Sequence, residues 1–386
     1  MDKNKKAVAW LCSSHFVADV YSGFLTPLMP FIAAKLGFSL AIATMITSIS
    51  QTISSTIQPI FGYFADTHTK RIFLFWGLLL SCLCYPLAPN TTSIWALCVL
   101  IVLGNLGGSM FHPQALGFIP LFSSKNSVYN MSLFVTAGTI GFAFGPIISS
   151  GIVQYFGYEK LLITPIIGLI TLCMMFDCVP KINALEIKQS DKKFLNAFKS
   201  IFTNKTMVIL LTIGMLKTLI QSSCSIMMPF LWKDLGHSPI YIGFAMFLFL
   251  FAGGIGSFTS HIFEKKYGAK FVLYCSMILP FPLMILFTAS CEPSPILSLI
   301  IFILMGYVIM FAQPIVLIMA QRTLPQYKSI VSGIINGFTW GIVAALLIAL
   351  GIVAENIGIR EVLTALAILP VLFCKLVKHL PNTVED

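Results

Sequence analysis

The sequence predicts an all-α membrane protein that crosses the bilayer twelve times, arranged as two pseudo-symmetric six-helix bundles. Of its 386 residues, 57% are hydrophobic and only 10% are charged, whereas soluble domains carry roughly 25% charged residues. So few charges cannot cover the surface of a soluble globule. Apolar segments of helical length also recur along the whole chain, whereas a membrane barrel would show segments of about ten alternating residues.

Each apolar segment is long enough to cross a bilayer as a helix, which takes about 20 residues. The twelve segments fall near residues 7–33, 41–64, 72–89, 94–120, 128–156, 161–179, 206–231, 239–263, 271–290, 295–320, 329–354 and 361–378. The longest polar connection, basic in character, leaves six segments on either side. We therefore predict an N-terminal bundle over 1–179, a cytoplasmic linker over 180–205 and a C-terminal bundle over 206–386.

The basic residues predict the orientation of these helices. If the N-terminus is cytoplasmic, nineteen Lys and Arg residues lie on the cytoplasmic side, four lie on the other side, and Lys217 lies inside a span. This asymmetry follows the positive-inside rule and places both termini in the cytoplasm. The net charge of +10 is spread over short patches between apolar runs, so we expect no nucleic-acid partner, only the lipid bilayer and small molecules.

Enzyme and metal motifs are missing from the sequence. The ten cysteines are scattered through apolar runs without metal-ligand spacing, and we interpret them as buried apolar residues. The chain contains no P-loop, no HExxH motif and no nucleophile elbow. We therefore expect no enzymatic activity, no metal and no cofactor.

The two halves resemble copies of one unit, because equivalent features recur about 200 residues apart. The matched features are Asp19 with Lys217, His112-Pro113 with Gln313-Pro314, and the basic loop 66–71 with 264–270. Two six-helix halves related in this way are the arrangement of major facilitator transporters.

Two motifs carry a more specific resemblance to that superfamily. The stretch Gly62 to Asp66, followed by Lys70 and Arg71, resembles its cytoplasmic loop motif, although the second glycine of the family pattern is missing. Gly141, Gly145 and Pro146 resemble its antiporter motif. The resemblance implies gating and conformational roles for six residues, namely Asp66, Lys70, Arg71, Gly141, Gly145 and Pro146.

A closer resemblance, to the fosmidomycin-resistance branch, runs over essentially the whole chain. It rests on Ser14-His15 with Asp19, Gln58-Pro59-Ile60-Phe61-Gly62, Phe111-His112-Pro113, Lys217, Ala320-Gln321 with Leu324-Pro325, and Ser332-Gly333 with Gly337 and Gly341. The chain departs from that branch at Gln114, where the family pattern has a glutamate. The resemblance implies a monomer in the bacterial inner membrane that exports drugs, driven by the proton gradient.

Charged side chains at bilayer depth are costly and normally face a cavity or a partner. His15 and Asp19 begin a polar stripe that continues along the first span at helical spacing. The sequence thus makes Asp19 and His112 candidates for proton coupling. The candidate substrate-binding residues are His15, Asp19, His112, Lys217, Gln221 and Gln313. The alternatives are a static Asp19–Lys217 pair and a histidine whose hydrogen bonds serve only the core.

Three functions stay open at this point. The first is proton-coupled antiport that exports a small organic molecule or drug by alternating access. The second is proton-coupled import of an anionic metabolite, in which Lys217 attracts the anion. The third is a membrane receptor or sensor that keeps the transporter fold without transporting.

Overall fold

The computed structural model describes residues 3–67, 71–123, 127–180, 194–324, 331 and 334–381. Within these residues the regular structure is helical and contains no strand. Twelve segments are long and apolar enough to cross a membrane, as the sequence predicts. Several spans consist of two helices in succession, so the number of helices exceeds the number of spans.

The α-helices are 10 to 30 residues long. In chain order they are α1 Lys3–Ser22, α2 Leu25–Leu36, α3 Leu40–Thr67, α4 Ile72–Leu87, α5 Ile94–Ser123, α6 Ser127–Phe156, α7 Pro165–Cys178, α8 Phe194–Thr203, α9 Lys205–Asp234, α10 Pro239–Tyr267, α11 Ala269–Ile278, α12 Pro280–Ser290, α13 Pro295–Met310, α14 Gln313–Thr323, α15 Thr339–Ile357 and α16 Ile359–Phe373. A π-helical turn, Ile334–Phe338, precedes α15.

Glycines that end spans repeat between the two halves. Gly37 ends the first span with φ 73°, and Gly236 follows the seventh with φ 82°. Gly157 follows the fifth span with φ 84°, and Gly358 follows the eleventh with φ 104°. A positive φ favours glycine because it has no Cβ. The recurrence of this backbone turn at equivalent sites agrees with the duplicated unit that the sequence suggests.

The chain forms two compact units. The first comprises Met1–Ser39, Ile46–Ser190 and Trp232–Phe247, and the second comprises Leu40–Met45, Asp191–Leu231 and Leu248–Asp386. In the first unit, helices α1, α4, α5, α6 and α7 enclose an apolar core around the fully buried Leu11, Phe111 and Phe134. In the second unit, α9, α11, α14 and the π-helical turn enclose a separate apolar core.

Glycines on α6 allow α1 to pack very closely against it. A Cβ at Gly141 would lie 2.2 Å from the carbonyl oxygen of Phe16, and one at Gly145 would lie 2.4 Å from that of Val20. No side chain fits between backbones at such distances, so small residues at the interface bring the two helices together. This contact fixes the face of α1 that meets α6.

We expect Gly141→Ala to lower the thermal stability of the purified protein, because its methyl group would collide with backbone rather than with a movable side chain. Overpacking of this kind costs about 1–3 kcal/mol. Gly151→Ala on the same helix is the matched control, since its Cβ would lie 3.4 Å from Ile240 Cδ1. Equal unfolding temperatures for Gly141→Ala and the unaltered protein would contradict this packing.

Candidate functional site

Three titratable side chains of the first unit converge between α1 and α5. The Nε2 atom of His15 lies 3.2 Å from Oδ2 of Asp19, one helical turn further along α1. The Nε2 atom of His112, on α5, lies 3.5 Å from Oδ1 of the same carboxylate. The side chains are 9%, 16% and 28% exposed for His15, Asp19 and His112. Asp19 thus meets a different imidazole at each of its oxygens.

Helix α6 holds the His15 ring. The Nδ1 atom of His15 lies 2.8 Å from the carbonyl oxygen of Phe134. The rings of His15 and Phe134 stack with their centroids 4.0 Å apart. Gly138 leaves space for this arrangement, because a Cβ there would lie 2.4 Å from Nε2 of His15 and 2.7 Å from Oδ2 of Asp19. Neither α6 residue was a candidate from the sequence.

A chain of hydroxyl and amide groups extends from this cluster to α3. The Tyr85 hydroxyl, on α4, is within electrostatic reach of Asp19 and donates to Oδ1 of Asn105 at 2.6 Å. The Asn105 amide in turn donates to Oγ of Ser50 at 2.6 Å. The sequence does not single out Tyr85, which is one aromatic residue among many.

Gln114, where the chain departs from the family pattern, is part of the scaffold. Its side chain is buried, and its Oε1 accepts a hydrogen bond of 2.8 Å from the backbone N–H of Leu74. Leu74 lies in the first turn of α4, where backbone N–H groups lack helical partners. Gln114 therefore ties α5 to the start of α4.

In the second unit the candidate residues gather around a buried lysine. Lys217, on α9, donates a hydrogen bond to Oε1 of Gln313 at the start of α14, and its Nζ lies 3.8 Å from Sδ of Met310. Gln221, one turn further along α9, is 4% exposed, and its Oε1 has no hydrogen-bond partner among the described residues. The described part of this unit supplies no carboxylate that pairs with Lys217.

The tenth span is interrupted directly before Gln313, between α13 and α14. Pro314 has no N–H and cannot bond the carbonyl of Met310 four residues earlier. The Ser257 hydroxyl, on α10, donates to that carbonyl at 2.9 Å. The Ser276 hydroxyl donates to the neighbouring carbonyl of Ile309 at 3.2 Å. By contrast, α5 continues as one helix through His112 and Pro113, so the two halves differ here.

The residues predicted to act in gating are partly described. Arg71 donates hydrogen bonds to the carbonyls of Phe176, at 2.6 Å, and Val179, beyond the end of α7. Its guanidinium also lies over the Phe176 ring, 4.2 Å from the centroid. Asp66 falls within α3, but its side chain and the whole of Lys70 lie outside the described residues.

The glycine motif of α6 is described in full. Gly141 and Gly145 form the surface on which α1 packs. Pro146 lies inside α6, and its Cδ would be 2.9 Å from a Cβ added at Gly23. Gly145 and Pro146 thus lie against the break between α1 and α2, whereas Gly141 packs on Phe16 further back along α1.

The cluster of the first unit has the composition of a cation-binding site. Within the part of the chain that the structure describes, the ligand atoms of His15, Asp19 and His112 form a group close enough to hold a cation, since they lie within 4.8 Å of one another. Imidazoles and carboxylates also bind protons, and the sequence predicts protons rather than a metal as the bound cation.

Comparison with known proteins gives one family over nearly the whole chain. A sequence model of the Major Facilitator Superfamily matches residues 11–375. The chain is 25% identical over 365 residues to the fosmidomycin resistance protein of Escherichia coli (strain K12), covering 93% of this chain and 89% of that protein. It is 24% identical over 368 residues to the uncharacterized MFS-type transporter YfnC of Bacillus subtilis (strain 168), covering 93% and 88%.

Solved structures share the fold at lower identity. The nucleoside transporter NupG matches with a TM-score of 0.76 and 18% identity, covering 98% of this chain and 99% of that one. A D-xylose-proton symporter matches with a TM-score of 0.73 and 15% identity, covering 98% of both chains. These likenesses bear out the twelve-helix architecture.

We expect Ser257→Ala to destabilise the protein by about 1 kcal/mol, because it leaves the Met310 carbonyl without its donor. The measurement is the thermal unfolding temperature in detergent. Ser290→Ala is the matched control, since the Ser290 hydroxyl donates to the Leu286 carbonyl of its own helix. If both variants unfold at the same temperature, the interruption of the tenth span does not depend on Ser257.

Proposed function

The chain belongs to the Major Facilitator Superfamily and is a transporter, not an enzyme, and we propose that it exports a small organic molecule in exchange for protons. The observation that carries this proposal is the cluster around Asp19. A carboxylate between two imidazoles, at bilayer depth and largely shielded from solvent, is energetically costly. Such residues usually mark a functional site. Histidine changes its charge near neutral pH, which suits a site that binds and releases protons in each transport cycle.

In this proposal the first unit binds the proton and the second unit binds the substrate. In the first unit Asp19 and His112 bind the proton, and His15 supports Asp19. In the second unit the ammonium of Lys217 and the amides of Gln221 and Gln313 bind substrate. The proton gradient supplies the energy, and alternating access moves substrate and proton in opposite directions.

Export is the direction that the available similarity favours. One relative is named a fosmidomycin resistance protein, and resistance by transport requires that a compound leave the cell. Gly145 and Pro146 match the antiporter motif of the family. We further propose that the protein is a monomer in the bacterial inner membrane, with both termini in the cytoplasm, as the distribution of basic residues indicates.

Import of an anionic metabolite is the second candidate, and Lys217 is the observation that favours it. The side chain is 7% exposed and donates to an amide oxygen rather than to a carboxylate. A buried ammonium without a counter-charge is costly, and a substrate anion would supply one. Since the anion could move in either direction, this observation bears on substrate class rather than on direction.

We expect the unaltered protein to confer resistance in a pump-deficient bacterium and Asp19→Asn to abolish it, because the amide cannot exchange a proton. The measurement is growth against a compound panel that includes phosphonates, with both proteins shown to be in the membrane. Asp234→Asn is the matched control, since Asp234 is an exposed carboxylate at the end of α9.

Resistance that survives Asp19→Asn would contradict the coupling role. If the unaltered protein confers no resistance to any compound, export is contradicted and import is tested next. That test measures uptake of radiolabelled anionic metabolites under an imposed pH gradient.

We expect Lys217→Arg to spare transport of anionic compounds better than Lys217→Gln, because only arginine keeps the positive charge. The measurement is the resistance of cells to anionic and uncharged members of the panel. Lys205→Gln, at the exposed start of the same helix, removes a charge outside the cluster and should have no effect. Equal loss with arginine and glutamine would argue against a simple charge role for Lys217.

A further inference from the structure

A groove with a volume of about 620 Å³ lies between α12 and α16 of the second unit. On α12 its lining residues Phe281, Ile285 and Thr288 recur at helical spacing, so they share one face. On α16 its lining residues Glu361 and Ile368 are two turns apart and also share a face. Ile285 and Ile368 are exposed, so the groove opens at the surface of this unit.

The groove is polar at one end and apolar along the rest. Thr288 lies near the end of α12 and Arg360 and Glu361 lie in the first turn of α16, so all three meet at one end. Phe281 and Ile368 each lie seven residues deeper in their helix, which is about 10 Å at a rise of about 1.5 Å per residue. Half of the hydrocarbon core of a bilayer is about 15 Å thick, so the groove follows about two thirds of one leaflet.

Lipid is the molecule that meets this groove in the membrane. Helices α12 and α16 belong to the ninth and twelfth of the segments able to span a bilayer, and an exposed face of such a helix contacts acyl chains. Acyl chains are as apolar as leucine side chains, so one of them can lie along Ile285 and Ile368. The polar end then contacts the headgroup of the same lipid, and its charges determine which headgroup fits.

Arg360 has hydrogen-bond donors left for a headgroup. Its Nη2 donates to Oε1 of Glu292 at 2.6 Å, and among the described residues this is the hydrogen bond that the guanidinium makes. A guanidinium has five N–H donors, so the remaining ones can bind a second acceptor. The planar fork of these donors matches the oxygens of a phosphate group. Arg360 is therefore suited to the phosphate of a phospholipid.

Two carboxylates accompany this guanidinium. Glu292 is its exposed partner. Glu361 lies in the first turn of α16, where the helix dipole favours a negative charge, and its Oε2 lies against Gly358, where a Cβ would be 2.1 Å away. One cation and two anions give this end of the groove a net charge of −1. A headgroup that is only anionic is therefore repelled, whereas one that also carries an ammonium is matched.

We propose that the groove binds a zwitterionic phospholipid whose headgroup carries a phosphate and a primary ammonium, as that of phosphatidylethanolamine does. The phosphate accepts hydrogen bonds from Arg360, the ammonium donates to Glu361, and one acyl chain lies along Ile285 and Ile368. Phosphatidylglycerol offers the phosphate without an ammonium, and the ammonium of phosphatidylcholine has no N–H. The site uses none of the residues proposed to bind proton or substrate, so it does not rest on the proposed function.

The test is a lipid titration of the purified full-length protein after bound lipid has been removed with detergent. The probes are phosphatidylethanolamine, phosphatidylglycerol and phosphatidylcholine with the same acyl chains. The measurement is the unfolding temperature against the mole fraction of lipid in mixed micelles, with each variant compared with its own lipid-free sample. We expect phosphatidylethanolamine to raise the unfolding temperature of the unaltered protein at a lower mole fraction than the other two lipids.

The two charged residues should affect this titration differently. We expect Arg360→Gln to raise the half-saturating mole fraction of all three lipids about tenfold, because each of them loses a charge-assisted hydrogen bond to its phosphate. We expect Glu361→Gln to raise that of phosphatidylethanolamine by a similar factor and to abolish its preference over phosphatidylglycerol. Ala365→Phe, which places a ring in the groove, should weaken the binding of every lipid.

The matched controls are Glu159→Gln and Lys160→Gln. They remove one charge of each sign from the equivalent turn after the fifth span, where Gly157 has a positive φ as Gly358 does, and both side chains are exposed. We expect these two variants to titrate as the unaltered protein does.

Three results would overturn the proposal. The first is equal half-saturating mole fractions of the three lipids in the unaltered protein. The second is an unchanged phosphatidylethanolamine titration in Arg360→Gln and Glu361→Gln. The third is an equal loss in the control variants, since lipid binding would then depend on surface charge in general rather than on this groove.

Discussion

The close approach of α1 to α6 is the constraint on which the rest of the first unit depends. Gly141 and Gly145 remove the side chains that would hold the two backbones apart. At this separation the Phe134 carbonyl of α6 reaches His15, which contacts Asp19 one turn further along α1. The glycine motif, for which the family resemblance implies a conformational role, therefore also helps to position the His15 ring. The α1–α6 contact therefore both stabilises the first unit and positions His15.

The two halves share their turns but differ in their chemistry. Gly37 and Gly236 both have a positive φ at equivalent sites, which is expected of a duplicated unit. Asp19 of one half nevertheless corresponds to Lys217 of the other. The carboxylate lies between imidazoles, whereas the ammonium lies beside an amide oxygen. Duplication thus supplies two equivalent positions in the fold, one occupied by a carboxylate and one by an amine.

Sequence predicts the fold well because bilayer crossing leaves a strong signal in hydrophobicity and charge. The same signal exposes Asp19 and Lys217, since charged residues inside apolar runs are rare. It cannot reveal the Phe134 carbonyl, because every residue has one, nor Gly138, because glycines are common in membrane helices. Tyr85 is hidden among many aromatic residues. These contacts depend on distances between helices far apart in sequence, which periodicity does not encode.

Gln114 is a residue that the sequence does single out but whose structural role it does not reveal. In sequence it marks a departure from the family at a possible protonation site. In the structure its Oε1 receives the Leu74 N–H at the start of α4, a task that an amide performs without charge. With glutamine at this position, Asp19 and His112 are the groups that we propose to bind the proton.

Proton flux during transport is the most direct test of coupling at Asp19. Purified protein would be reconstituted into vesicles that contain a pH-sensitive dye, and the compounds that cells resist would be added outside. We expect compound-dependent proton movement with the unaltered protein and with Asp234→Asn, and none with Asp19→Asn. Compound transport without proton movement, or equal proton movement in all three proteins, would contradict it.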